Sequence, residues 1–493
     1  MFPEFRLRYS RLPERFYQRF RPEPVSRPQL VAFNRTLAEE LGFDLAALPD
    51  EAELAGYFAG NRLPAGAEPV AQAYAGHQFG MFVPQLGDGR AVLLGEVVDR
   101  AGRLRDIQLK GSGPTRFARG GDGRAPLGPV LREYLVSEAM HTLGIPTTRS
   151  LAAVATGEAV YRERRLPGGV LTRVAACHVR VGTFEYFAAR GDAEGLRLLA
   201  DFVIERHYSQ LAELSGGERF VALLAAVQER QATLVAKWMG VGFVHGVMNT
   251  DNTAVSGETI DYGPCAFMEA YHPRTVFSFI DHGGRYAYGN QPGIVMWNMA
   301  RLAETLLPLI DPDDERAVAR AMEVLERFPE RYEAAWLEVM RAKLGLVQEQ
   351  AGDPELIADL LQAMQGGRAD FTLTFRRLCD CAESPTADRG LLTLFEEPTA
   401  IASWLTRWRQ RLGAEGRAGS LVAAGMRTVN PLYIPRNHLV EQALAAAVME
   451  GDLAPFQALH AVLARPFTEQ PGRERYALPA SDEERVLRTF CGT

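Results

Sequence analysis

The spacing of apolar positions changes character twice along the chain. Residues 1–70 are punctuated by prolines and hold one short helical pattern, VAFNRTLAEELG, for which Gly42 is the C-terminal stop. From Val70 to Ile107 the period shortens to two. VPQLGDGRAVLLGEVVD reads as strand, Gly-Asp-Gly turn and strand, and RDIQLK as a third strand ending at Lys110. A Gly/Arg-rich loop, GSGPTRFARGGDGRAPLGP (111–129), comes next, and a loop of that length inside a compact domain points to function or disorder. A helix is predicted over 130–143, stopped by Gly144 with Pro146 beyond it, followed by two strand-like runs, SLAAVATGEAVYRE and GGVLTRVAACHVRVG. After them the spacing is helical, at 193–214, 218–239 and 293–310, and then in ERAVARAMEVLERF, RYEAAWLEVMRAKLG, PELIADLLQAMQ and HLVEQALAAAVMEG. A β-rich part followed by a helical part predicts an α+β protein of two lobes with a cleft between them. The expected divisions are an extension over 1–70, a β-rich lobe over 71–185, a helical lobe over 186–345 and a helical extension over 346–493.

Composition narrows the class. The 493 residues are 47% hydrophobic and 23% charged, as in soluble globular proteins. A net charge of −7 argues against a general affinity for nucleic acid while leaving room for a local basic cleft. No apolar run approaches the roughly 18 residues that a membrane span needs. The first residues, MFPEFRLRYSRLPERFYQRFRP, lack the apolar core of a secretory signal, and Glu4 and Glu14 argue against a transit peptide. Five cysteines (Cys177, Cys265, Cys379, Cys381, Cys491) form neither a disulfide framework nor a CxxC zinc pattern. The expectation is a cytoplasmic protein with no membrane or nucleic-acid partner.

The candidate chemistry centres on FVHGVMNTDNTAVSGETIDYG (243–263). It puts His245, Asp251 and Asn252 on one loop and Asp261 nine residues beyond Asn252, with TAVSGETI predicted as a hairpin around Ser256-Gly257. Two carboxylates and a carboxamide suit a hard cation such as magnesium. Upstream, Lys110 ends a strand and Glu133 lies early in the next helix, with Glu138 as a rival partner. Alone the pair reads as a solvated lysine near a surface glutamate; with the downstream loop it reads as an ammonium anchored for phosphate binding. Gly87-Asp88-Gly89-Arg90 is by itself a hairpin turn. Placed two strands before Lys110, its glycines let backbone amides approach a phosphate, and Arg90 adds a bidentate donor. Arg116, Arg119, Asp122 and Arg124 sit among glycines in the 111–129 loop, and Arg173 and Arg180 could face the same cleft. Nine scattered histidines show no zinc-binding spacing, and His77 and His282 are expected to be structural hydrogen-bonders.

The order strand-Lys, helix-Glu, HGVMNTDN and DYG resembles the protein-kinase fold, in which a His-Arg-Asp loop precedes a metal-binding Asn and an Asp-Phe-Gly. Asn252 and Asp261 fall at matching places, but Val247 stands where the kinase catalytic Asp would be, and Asp251 is the obvious substitute. Three readings stay open on these residues: a nucleotidyl transferase, a kinase-like phosphotransferase moving the γ-phosphate, and a pseudokinase scaffold that binds nucleotide without chemistry.

A closer resemblance covers nearly the whole chain. YAGHQFG, QLGDGR, DIQLKGSGPTRFARGGDGRAPLGPVLREYLVSEAMHTLGIPTTRSLA, HGVMNTDN, TIDYGPCAFM and NPLYIPRNHLVE are similar to the selenoprotein O family of kinase-fold protein adenylyltransferases. That resemblance implies ATP bound in a flipped orientation, AMP transferred to Ser, Thr or Tyr hydroxyls of protein substrates, and pyrophosphate released, with Mg²⁺ or Mn²⁺ as cofactor. Carried over by position, Asp251 is the base, Asn252 and Asp261 hold the metal, and Lys110 contacts phosphate while held by Glu133. Gly87, Gly89, Arg90, Asp122, Gly123, Arg173 and Arg180 line the nucleotide site. Cys491, third from the end as in the family, is implied as a redox partner for Cys265.

Overall fold

A computed structural model describes residues 2–490. Cys491, and with it the expected pairing to Cys265, lies outside the described residues.

The first part of the chain builds one antiparallel sheet. Its strands are β1 (Tyr17–Arg19), β2 (Gln29–Phe33), β3 (Val70–Gln72), β6 (Ala91–Val98), β7 (Leu104–Lys110), β9 (Arg149–Tyr161) and β10 (Arg165–Ala175), in the order β1-β3-β6-β7-β10-β9-β2. The short β8 (Ala125–Pro126) pairs with β10. A separate two-stranded hairpin, β4 (Gly76–Gln78) and β5 (Met81–Val83), stands apart from this sheet. Residues 1–70 thus contribute both edge strands, β1 and β2.

Strand alternation sorts the sheet into two faces. Val154, Val170 and Val174 pack with Leu37 and Phe58 of helices α1 (Arg35–Glu40) and α2 (Glu51–Phe58). Ala153 and Leu171 face the other way, onto Leu131 and Leu135 of α3 (Leu127–Thr142), where Leu439, Phe456 and Leu459 from the last helices join the same core. α3 begins three residues before the predicted start because Pro126 and Pro129 both fall where a helix needs no backbone donor.

Helices make up most of the remainder. α4 (Val181–Ala188), α5 (Ala193–His207), α6 (Gly216–Val241) and α7 (Gln291–Ile310) surround the central loop, and further helices run on to Ala454–Leu463. A two-residue ribbon, β11 (Phe243–Val244) with β12 (Ala266–Phe267), ties together the two ends of the loop that carries residues 245–265. No helix among the described residues is long and apolar enough to cross a membrane.

Two predicted elements are absent. Residues 84–90 form no strand after Val83. They follow β3 irregularly, with Leu86 N–H donating to Tyr74 O and Asp88 N–H to Gln72 O. TAVSGETI keeps its turn, with Gly257 N–H bonded to Ala254 O, but its arms do not pair with each other. Ala254 bridges to Arg180 and Thr259 to Thr147, so the surrounding chain takes the hydrogen bonds that a hairpin would have used.

Candidate active site

A cleft of about 750 Å³ opens between the sheet and the 245–265 loop. Gly87, Gly89, Arg90, Lys110, Asp122, Gly123, Glu133, Arg173, Arg180, Asp251, Asn252 and Asp261 all line it. Its volume lies within the range typical of small-molecule sites.

Lys110 leaves the end of β7 and donates from Nζ to Glu133 Oε2 at 2.8 Å; its second partner is Asp261 Oδ1. Arg173, fully buried on β10, donates from Nε to Glu133 Oε1 at 2.7 Å and from Nη2 to Asp261 Oδ1 at 3.2 Å. Glu133 is therefore the hub of both cations. The rival Glu138 lies a turn and more further along α3 and is held instead by Arg149 and Asn34. Burial works against charge on Asp261, but Lys110 and then Arg173 outweigh it and hold the carboxyl well below the usual carboxylate range. Its backbone is left-handed, with φ of +66°. A non-glycine residue in that region is retained where its surroundings over-determine it, as these two cations do.

The loop itself is fixed from below. Buried His245 bonds Ile260 O through Nε2 at 2.9 Å and accepts Val247 N–H on Nδ1 at 3.4 Å, so the ring is neutral with its proton on Nε2. Burial lowers its pKa, in keeping with that state. Asn252 donates from Nδ2 to Val247 O at 3.0 Å. Asp251 is buried against Arg180, whose Nη1 donates to Asp251 O at 3.3 Å while its guanidinium lies 4.3 Å from the centre of the Tyr74 ring. Burial pushes the Asp251 carboxyl up to about 6, with Arg180 opposing the shift. Asp251 Oδ1 is buried and takes no hydrogen bond among the described residues.

The Gly/Arg-rich loop folds onto itself over the cleft. A Cβ on Gly123 would fall 2.1 Å from Gly113 C, and one on Gly87 2.4 Å from the Phe117 ring, so no side chain fits at either place. Asp122 faces Arg162 in a bidentate ion pair at 2.8 and 3.0 Å, which holds its carboxyl below the usual range. Arg90 has no ion-pair partner among the described residues.

Sequence reasoning did not single out Tyr74, Gln78, Asn249 or Arg162 as cleft residues. The first two lie in YAGHQFG; Gln78 is on the short strand β4, whereas Tyr74 precedes it in irregular chain that no periodicity marks. His77 bonds Glu185 through Nδ1 at 2.5 Å, as a structural histidine should. The ring of His282 is exposed and makes no hydrogen bond among the described residues. Cys265 is buried, and its thiol is pushed up to about 12 by that burial.

No group of three or more His, Cys, Asp or Glu side chains placed for a metal ion occurs among the described residues. Asn252 and Asp261 both line the cleft, and among the described residues neither Asn252 Oδ1 nor Asp261 Oδ2 takes a protein hydrogen bond; these are the hard donors that Mg²⁺ or Mn²⁺ takes when phosphate and water complete its shell.

The arrangement, a cation-lined cleft with two carboxylates and a carboxamide on one loop, is that of a phosphate-handling enzyme. Residues 2–464 match the family described as protein adenylyltransferase SelO, and the chain belongs to that family. Among its relatives, the protein nucleotidyltransferase YdiU of Rhizobium meliloti (strain 1021) is 59% identical over 485 residues, covering 98% of each chain. The protein of the same name from Bradyrhizobium sp. (strain ORS 278) is 60% identical over 493 residues and 99% of each chain. That from Rhodopseudomonas palustris (strain BisB5) is 59% identical over 98% of each.

Proposed function

We propose that this chain is a protein adenylyltransferase built on a two-lobed, kinase-like plan, with lobes over 71–185 and 186–345 flanked by extensions. ATP and a hydroxyl-bearing protein are its substrates. The observation that carries the reading is that Val247, which cannot accept a proton, and Asp251, which can, line the same cleft. A kinase acceptor site has its carboxylate at the valine; in this reading the base stands four residues along, at Asp251, because a flipped nucleotide leaves the old position without use.

In this reading Lys110, Arg90, Arg173 and Arg180 bind the nucleotide's phosphates, with Gly87, Gly89 and Gly123 keeping the walls close and Asp122 fixing the loop through Arg162. Glu133 orients Lys110 and Arg173. Asp251 takes the proton of a Ser, Thr or Tyr hydroxyl as its oxygen bonds to the α-phosphorus. The bond from the α-phosphorus to the bridging oxygen breaks, and pyrophosphate leaves. Positive groups already in place offset the charge that grows on the departing pyrophosphate, where preorganised electrostatics act most strongly. Asn252 and Asp261 would hold the metal ion, which when bound neutralises phosphate charge.

Product analysis tests this. With ATP, Mg²⁺ or Mn²⁺ and casein as a hydroxyl-bearing acceptor, pyrophosphate is expected to accumulate in proportion to modified protein. ADP accumulating in that proportion would mean γ-phosphoryl transfer and would overturn the reading.

A further inference from the structure

The stretch YAGHQFG (74–80) supplies no group to the chemistry above, yet it lies against Asp251. Along β4, alternate residues take opposite faces. Gly76 and Gln78 face Asp251: Gln78 Nε2 donates to Asp251 Oδ2 at 3.3 Å, and a Cβ on Gly76 would fall 2.8 Å from Asp251 Oδ1. His77 takes the other face, where its ring bonds Glu185 and its backbone N–H donates to Thr250 Oγ1 at 2.7 Å. Thr250 Oγ1 in turn donates to the second Glu185 oxygen at 2.5 Å.

The turn is anchored too. Phe79 and Gly80 have φ of +52° and +84°, the two left-handed residues of a tight hairpin turn. Phe79 N–H donates to Asn249 Oδ1 at 3.1 Å, an oxygen that also accepts the Tyr286 hydroxyl at 2.7 Å. Residues 77, 78 and 79 are thus bonded to residues 250, 251 and 249. The hairpin and the loop form one unit.

This matters because a carboxylate torsion is soft, with no single staggered well to fix it. Gln78 bonds Oδ2, while Oδ1 is buried against Gly76 with no hydrogen-bond partner among the described residues. An amide donates that hydrogen bond without bringing a positive charge that would compete for the role of proton acceptor. We propose that Gln78 is a positioning residue for adenylyl transfer, fixing the torsion of the Asp251 carboxylate through Oδ2, with Gly76 bare because no side chain fits beside the buried Oδ1. The proposal rests on Asp251 being the base.

The test compares Gln78→Leu and Gln78→Met with Asp251→Asn in the full chain. It follows transfer from α-labelled ATP to casein, nucleotide affinity by titration, and thermal melting. Loss of the donor is expected to lower kcat roughly 10- to 100-fold, the scale of a misplaced catalytic group. The KM for ATP, the nucleotide affinity and the melting temperature should stay near the parent's. Added to Asp251→Asn, Gln78→Leu should lower the residual rate no further, since it acts only through that carboxylate. Unchanged kcat in either Gln78 variant would overturn the proposal. So would full additivity with Asp251→Asn, or a loss matched by weaker nucleotide binding or by unfolding of both variants, which would mark a structural role. Parental transfer by Asp251→Asn would instead remove the base assignment on which the proposal stands.

Discussion

Lys343 shows how a single side chain can be set against the fold that holds it. It ends the helix Phe328–Lys343, is 3% exposed, and lies 4.1 Å from the centre of the Phe375 ring. Burial lowers its pKa from 10.5 to about 7, with the neighbouring Cys379 opposing weakly. Between those values the unfolded chain holds a proton that the folded one does not, so this residue's contribution makes stability rise with pH from about 7 towards 10.5. Below pH 7 both states are protonated and the full cost of a buried charge is present. Lys343→Met, which keeps the length without the amine, is therefore expected to stabilise the protein at pH 7 by a few kcal/mol (about 2–4). The gain should shrink as the pH nears 10. Denaturant midpoints of parent and variant at the two pH values check this; a gain that grew with pH would contradict it.

At the scale of elements, the site depends on segments that lack regular structure. That the 111–129 loop belongs to the cleft was legible from its glycines and arginines, but not its course, because that is set by packing contacts that no local pattern marks. Gly123 against Gly113, Gly87 against Phe117 and Arg162 on Asp122 are such contacts. Gly123→Ala would place a methyl inside the backbone of Gly113 at a left-handed position, so the loop must shift. Nucleotide affinity is expected to fall roughly tenfold, the scale of such backbone strain. The melting temperature should change little, since residues 118–124 contribute no side chain to the hydrophobic cores. Titration with a fluorescent ATP analogue alongside a melting curve separates the two effects. The TAVSGETI arms were misjudged for the same reason: alternation and a Ser-Gly turn are local signals, whereas the pairing went to Thr147 and Arg180. By contrast, strands β7, β9 and β10 and helix α3 were legible because their period and stop signals agree with the core they bury.

The whole molecule carries a net charge of −7, yet seven arginines and lysines against five acids line its cleft. In the proposed function that contrast would focus an anionic nucleotide on the cleft while keeping the rest of the surface unattractive to polyanions. The twelve residues named from the sequence lie over more than 170 positions and converge on this one cavity because the sheet, α3 and the β11–β12 ribbon bring their carriers together. Their order along the chain was readable. The zipper between residues 77–79 and 249–251 was not, since nothing local in either segment marks the other as its partner. The central claim concerns which phosphorus is attacked, and it is tested most directly by paired label transfer. The full chain is incubated with Mg²⁺ or Mn²⁺, casein, and ATP labelled at either the α- or the γ-phosphate, beside an Asp261→Ala control. Label is expected on protein from α-labelled ATP alone and is expected to disappear in the control; label arriving from γ-labelled ATP alone would contradict the account.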